Sequence, residues 1–213
     1  MKSQDTRNHA FDLLKGIGCI GVVFMHVTFP GKVGEIIHKF AVPVFIMISG
    51  YYAYGCDSEK IKRRLLKIIK IFVFAFVLYS IYKMLSLISD SKLLDIIDAK
   101  YLFAWTIKLI VFCTIDYAIP LWYLIAMIET YILWLKISKH IDRNCIVVLM
   151  VLLFVLQIAS RIFCETMAFP WYLKICFLTC TLPWFLLGYY MKMPVEKIVD
   201  RFSDSAIISI ATV

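Results

Sequence analysis

A histidine inside a long apolar run is the first residue of this 213-residue sequence whose position calls for chemistry. His26 stands between Met25 and Val27. Ionisable groups in a bilayer are expensive, about 2.5–3.5 kcal/mol for Arg, Lys or Asp at a helix centre on insertion scales. A neutral imidazole costs less, so position alone also allows a plain interhelical hydrogen bond. Lys15 precedes His26 by eleven residues, and eleven steps of ~100° return to within ~20° of the same helix face, ~16 Å along the axis. Asp12, three residues before Lys15, is placed to pair with it. The face therefore carries Asp12 and Lys15 at one end and His26 deep inside. That pattern suits a polar cleft that admits an anionic ligand at its mouth and holds a base at its floor. Taken alone, Lys15 reads equally well as an interfacial lysine that snorkels to the headgroups.

Two further segments carry polar groups with a purpose. The run Lys60-Ile-Lys-Arg-Arg-Leu-Leu-Lys67 reads either as a topology anchor touching anionic lipid or as a phosphate clamp, because Arg64 and Lys67 share a helix face at i, i+3. Ser49 closes an apolar run in Ser49-Gly50-Tyr51. A serine there ordinarily bonds a backbone carbonyl, and without a GxSxG context it is not a hydrolase nucleophile. The seven cysteines show no CxxC or zinc-ligand spacing, so we expect no metal site and no disulfide framework.

The elements that must position these residues are membrane helices. The chain is 62% hydrophobic and 18% charged, with mean hydropathy +0.83, too little charge for a surface that faces water. Apolar runs predict an all-α polytopic transmembrane bundle with spans near 13–29, 40–55, 68–88, 119–136, 146–163 and 174–191. A partial seventh runs from Ser205 to Val213. It covers only ~13 Å as helix, so we expect residues 1–213 to form one membrane domain that is incomplete at its C-terminus. No cleavable signal peptide is visible at the first run.

Lys and Arg cluster in the N-terminus, 60–70, 136–143 and 192–201. The positive-inside rule puts all four clusters and the N-terminus in the cytoplasm if 101–115, interrupted by Lys108, is a short interfacial or re-entrant helix that does not cross. The net charge of +8 is thereby a topology signal, and nucleic acid is not an expected partner.

Five segments in order give the chain a family resemblance: Phe11-Asp-Leu-Leu-Lys-Gly-Ile-Gly18 through His26, Val44-Phe-Ile-Met-Ile-Ser-Gly-Tyr-Tyr52, Arg64-Leu-Leu-Lys67, Pro120-Leu-Trp-Tyr-Leu124 and Leu182-Pro-Trp-Phe-Leu-Leu-Gly-Tyr189. Together they resemble the acyltransferase-3 family of integral membrane acyltransferases. Lys15 and Lys67 stand where that family's Arg-x10-His and Arg-x-x-Arg signatures have arginine, giving a point charge in place of a bidentate fork.

The resemblance implies an O-acyltransferase in the cell membrane. It would move an acyl group, usually acetyl, from cytoplasmic acyl-CoA to a hydroxyl of a cell-surface glycan, with no bound cofactor. It also implies His26 as general base or acyl relay. Lys15, Arg64 and Lys67, with Asp12 and Ser49, would serve the donor and substrate. The membrane part of a van-type serine/alanine racemase is a close relative and an alternative reading. A transporter or scaffold is another, for which helices broken by Gly or Pro at matching places in two repeats are expected and not found.

Overall fold

The computed structural model describes residues 9–26, 32–89, 113, 115, 118–167 and 176–199. Among them every regular element is a helix. In chain order these are α1 (His9–His26), α2 (Lys32–Ala53), α3 (Ser58–Ser89), a 3-10 turn (Ile119–Leu121), α4 (Trp122–Ile137), α5 (Arg143–Thr166), the single turn α6 (Phe177–Cys180) and α7 (Leu182–Val199). The chain is a multi-pass membrane protein, and three described stretches are long and apolar enough to cross a bilayer: Ser58–Ser86, Ile119–Ile137 and Asn144–Thr166. The expected stretch 101–115, apart from Cys113 and Ile115, lies outside the described residues, as does 205–213.

The helices wear their apolar surface outward. On α5 the buried positions Ile146, Leu153, Gln157 and Cys164 form one stripe, while Val148, Val151, Leu152, Val155, Ile158 and Ile162 on the other faces are exposed. Spacings of seven, four and seven residues keep a stripe on one helix face. A soluble helix would turn polar residues to the remaining surface, whereas here that surface matches lipid.

Helix boundaries depart from the expected spans at several ends, α2 for example beginning at Lys32 and not near 40, and two of the departures have a local cause. The third span was expected from residue 68, yet α3 begins at Ser58 and has 32 residues, ~48 Å of helix against ~30 Å of hydrocarbon. Its early start is capped: the Asp57 carbonyl accepts the amides of Lys60 (3.0 Å) and Ile61 (3.2 Å). Glu59 then complements the positive helix end and pairs with Lys62 at 2.9 Å. The basic run is thus the exposed opening of one long helix.

The sixth span, expected over 174–191, is interrupted between α6 and α7 at Thr181. Pro183 has no N–H to give the carbonyl four residues back and its ring clashes there. The helix therefore breaks before it and restarts with Pro183 in the first turn of α7, where no such bond is needed, and α7 continues to Val199. Thr181 is fully buried, and among the described residues its Oγ1 has no hydrogen-bond partner. By contrast, Pro43 lies inside α2 without ending it.

The chain divides into two compact units, residues 1–55 with 184–213, and residues 56–183. In the first, α1 and α2 are packed in antiparallel register, with Phe11 against Tyr51 at one level and Gly18 against the Phe45 ring at another. The part of α7 from Trp184 on crosses α2 through two glycines. A Cβ on Gly50 would collide with the Phe185 carbonyl, and a Cβ on Gly188 with the backbone of Met47. Small residues that let backbones touch are the usual means of packing helices in lipid.

In the second unit α3 packs on α4, and α6 packs on α4 and α5. Its buried cluster of Cys113, Ile125 and Ala126 is covered by Phe72, Ile115, Trp122 and Phe177.

Candidate functional site

The first unit holds the charged side chains of Asp12, Lys15 and Lys192 at one end. Asp12, in the first turn of α1, pairs with Lys15 at 3.6 Å, both side chains being about one-third to two-fifths exposed (35% and 40%). The Lys15 ammonium also lies over the Tyr52 ring, 5.4 Å from its centroid. Phe11 meets Tyr51 and Tyr52 edge-on at 4.8 and 5.6 Å, locking the start of α1 onto the end of α2. From α7, the Lys192 ammonium lies 5.5 Å from the Tyr51 ring centroid and 5.6 Å from that of Tyr54. Tyr54 in turn packs on Tyr189 at 5.1 Å. Each exposed cation–ring contact is worth about 0.5–1 kcal/mol, and the Asp12–Lys15 pair about 0–1 kcal/mol. What the arrangement supplies is fixed positive charge at one end of an apolar bundle.

Below these rings lies a cavity of about 350 Å³ between α1, α2 and α7, walled by Phe11, Leu14, Met47, Tyr51, Gly188 and Met191 among others. Its wall is almost wholly apolar.

The residues singled out from sequence divide between the units. Asp12 and Lys15 are brought together as expected. His26 is the last residue of α1, and the continuous helix from His9 to His26 keeps the eleven-residue register between Lys15 and His26, ~16 Å of rise. Ser49 donates to the Phe45 carbonyl at 2.9 Å, the local bond expected of a serine in a span. Arg64 and Lys67 belong to the second unit, in the opening turns of α3. Lys67 is exposed and Arg64 half-buried; beside them, Lys62 and Arg63 bond to Glu59.

Two polar positions escaped the sequence reading. Lys192 was counted only as a topology charge, although it falls three residues after Tyr189 and so on the same helix face as that aromatic. Glu129 sits within α4 and accepts a hydrogen bond from the Cys113 thiol at 3.2 Å. An acidic residue in an apolar span is itself a signal. Cys113 is completely buried and has φ +51°, a left-handed conformation that non-glycine residues rarely adopt. Its thiol is a hydrogen-bond donor.

A helical membrane protein with cations held over tyrosines at one end of its first unit is the class these features define. A family model described as an acyltransferase domain matches residues 8–213, and the chain belongs to the acyltransferase-3 family. No curated protein and no solved structure gives a significant match.

Proposed function

We propose that this membrane acyltransferase is an O-acyltransferase that takes an acyl group, acetyl in the first instance, from cytoplasmic acyl-CoA and delivers it to a hydroxyl of a cell-surface glycan. The observation that carries the reading is the Asp12–Lys15 pair at the aromatic end of the first unit, one continuous helix away from His26. In the reaction, His26 takes the proton of the acceptor hydroxyl as its oxygen attacks the thioester carbonyl. The C–S bond then breaks, and the departing CoA thiolate is protonated. Lys15, steadied by Asp12, is a cationic partner of the donor's phosphates or of the developing charge within the first unit, and Arg64 and Lys67 are given the same role within the second. Ser49 contributes through the turn of α2 that it braces, next to Gly50.

A topology of six crossings and a partial seventh, with the N-terminus inside, belongs to the same proposal. Phe11 of α1, Tyr51 of α2 and Lys192 of α7 lie together. With the N-terminus inside, α2 ends inside. For α7 to bring Lys192 to that same end, the chain between α2 and α7 must cross an odd number of times. Crossings by α3, α4 and α5 satisfy that; a further crossing by 101–115 would carry Lys192 to the opposite side.

The test is His26→Ala in the full-length protein. We expect acyl transfer to fall by roughly 10²–10⁴-fold, the usual contribution of a positioned base, while insertion, followed by accessibility labelling of the loops, is unchanged. Undiminished acylation of the acceptor would overturn the assignment. Arg64→Glu with Lys67→Glu should weaken acyl-CoA binding most at low salt, because exposed charges are screened within ~10 Å at 0.1 M. Equal affinity at low salt would remove those two residues from the donor site.

A further inference from the structure

Tyr51 takes part in two arrangements at once. Its ring lines the cavity of about 350 Å³ between α1, α2 and α7, and the Lys192 ammonium lies 5.5 Å from its centroid. Met191, the residue before Lys192, lines the same cavity. Cation and cavity are therefore joined through the backbone of α7 and one shared ring.

The cavity's chemistry restricts what fits. Its walls, among them Phe11, Leu14, Met47 and Gly188, are almost entirely apolar, so beyond the Tyr51 hydroxyl they offer little that could read the edges of a base or a sugar, as specific small-molecule sites do. An alkyl chain needs none. The cavity also adjoins a lipid-facing surface: Leu14 lines it and is 37% exposed, and Leu13, Ile17, Ile20 and Val23 continue an exposed apolar surface along α1. A chain can thus enter sideways from the bilayer. Tyr51 and Tyr54 under an ammonium make the kind of aromatic and basic setting found at headgroup level.

We infer that the cavity holds one acyl chain of an anionic phospholipid of the surrounding bilayer, with the lipid phosphate on Lys192. The site does not depend on the acyl-transfer reading, because Lys192 and Met191 have no part in the proposed chemistry. A bound lipid would wedge between α1 and α7 and hold the aromatic end together.

The experiment is native mass spectrometry of the full-length protein, delipidated in mild detergent and then given phosphatidylglycerol, phosphatidylcholine or palmitoyl-CoA separately. We expect phosphatidylglycerol to be retained over phosphatidylcholine. Lys192→Gln should lower phosphatidylglycerol retention roughly fivefold, the worth of one basic residue at a lipid surface, and leave phosphatidylcholine unchanged. Met191→Trp, at a partly exposed wall position, should lower retention of both lipids by filling the cavity. Equal retention of the two lipids by the unaltered protein would overturn the inference. So would undiminished phosphatidylglycerol on Lys192→Gln, or retention of palmitoyl-CoA without phosphatidylglycerol.

Discussion

Apart from the exposed basic run that opens α3, the two units handle polar groups in opposite ways. The first keeps Asp12, Lys15 and Lys192 at one end over a layer of tyrosines, and packs its interior by backbone contact at Gly50 and Gly188. The second carries a carboxylate within a span, Glu129, and answers it with the thiol of a buried cysteine whose backbone is twisted to reach it. In the first unit, then, charge is left where water or a ligand can meet it, and stability comes from close apolar packing. In the second, a polar pair is part of the packing. A unit of the first kind suits ligand entry; one of the second kind suits fixing the course of a segment across helices.

The comparison breaks most sharply at the glycines. Gly50→Ala and Gly188→Ala each place a methyl group against backbone that cannot rotate away, and overpacking of this kind costs about 1–3 kcal/mol. We expect both variants to lose folded protein, measured by size-exclusion yield and thermal midpoint in detergent. Gly16→Ala meets nothing within 4 Å and should be neutral or gain ~0.5–1 kcal/mol of helix propensity. If all three behave alike, the α2–α7 contact does not hold the unit together.

A smaller effect separates the partners in the second unit. Cys113→Ala leaves the Glu129 carboxylate without its thiol donor, and an orphaned polar group costs about 1–3 kcal/mol. Glu129→Leu removes the carboxylate and leaves only the thiol, a weak donor that behaves as a small apolar group, without its acceptor. Thermal midpoints should therefore fall more for Cys113→Ala than for Glu129→Leu. The reverse order would mean that the carboxylate itself, with other contacts, carries the stability.

Much of this was legible in the sequence, for identifiable reasons. Apolar runs specify helices by composition, and Asp12 and Lys15 are neighbours by helical spacing, so both needed only local rules. The 3.6-residue period also links Lys15 to His26 without any tertiary knowledge. Contacts between distant segments were not legible. The Gly50 and Gly188 motifs were matched as family segments, and only the fold reveals that they touch each other's helices. Cys113 and Glu129 are sixteen residues apart with no periodic relation. The interruption at Thr181 was hidden because Pro183 sits in a run whose hydropathy is unbroken, and hydropathy does not register a missing amide.

The smallest effect concerns Ser49, beside the glycine crossing in the first unit. Its hydroxyl bonds the Phe45 carbonyl within the same helix, so its loss leaves a carbonyl that keeps other helix partners, unlike the loss of a bond between helices. Ser49→Ala should shift stability by about 0.5–1 kcal/mol at most, since a net intramolecular hydrogen bond is worth about 0.5–1.5 kcal/mol and a local back-bond in a helix contributes at the low end. Acyl transfer should then change little beyond the loss of folded protein. A fall in turnover at unchanged thermal midpoint would instead give Ser49 a direct part in substrate handling, and would extend the site of the first unit from its charged end into the span.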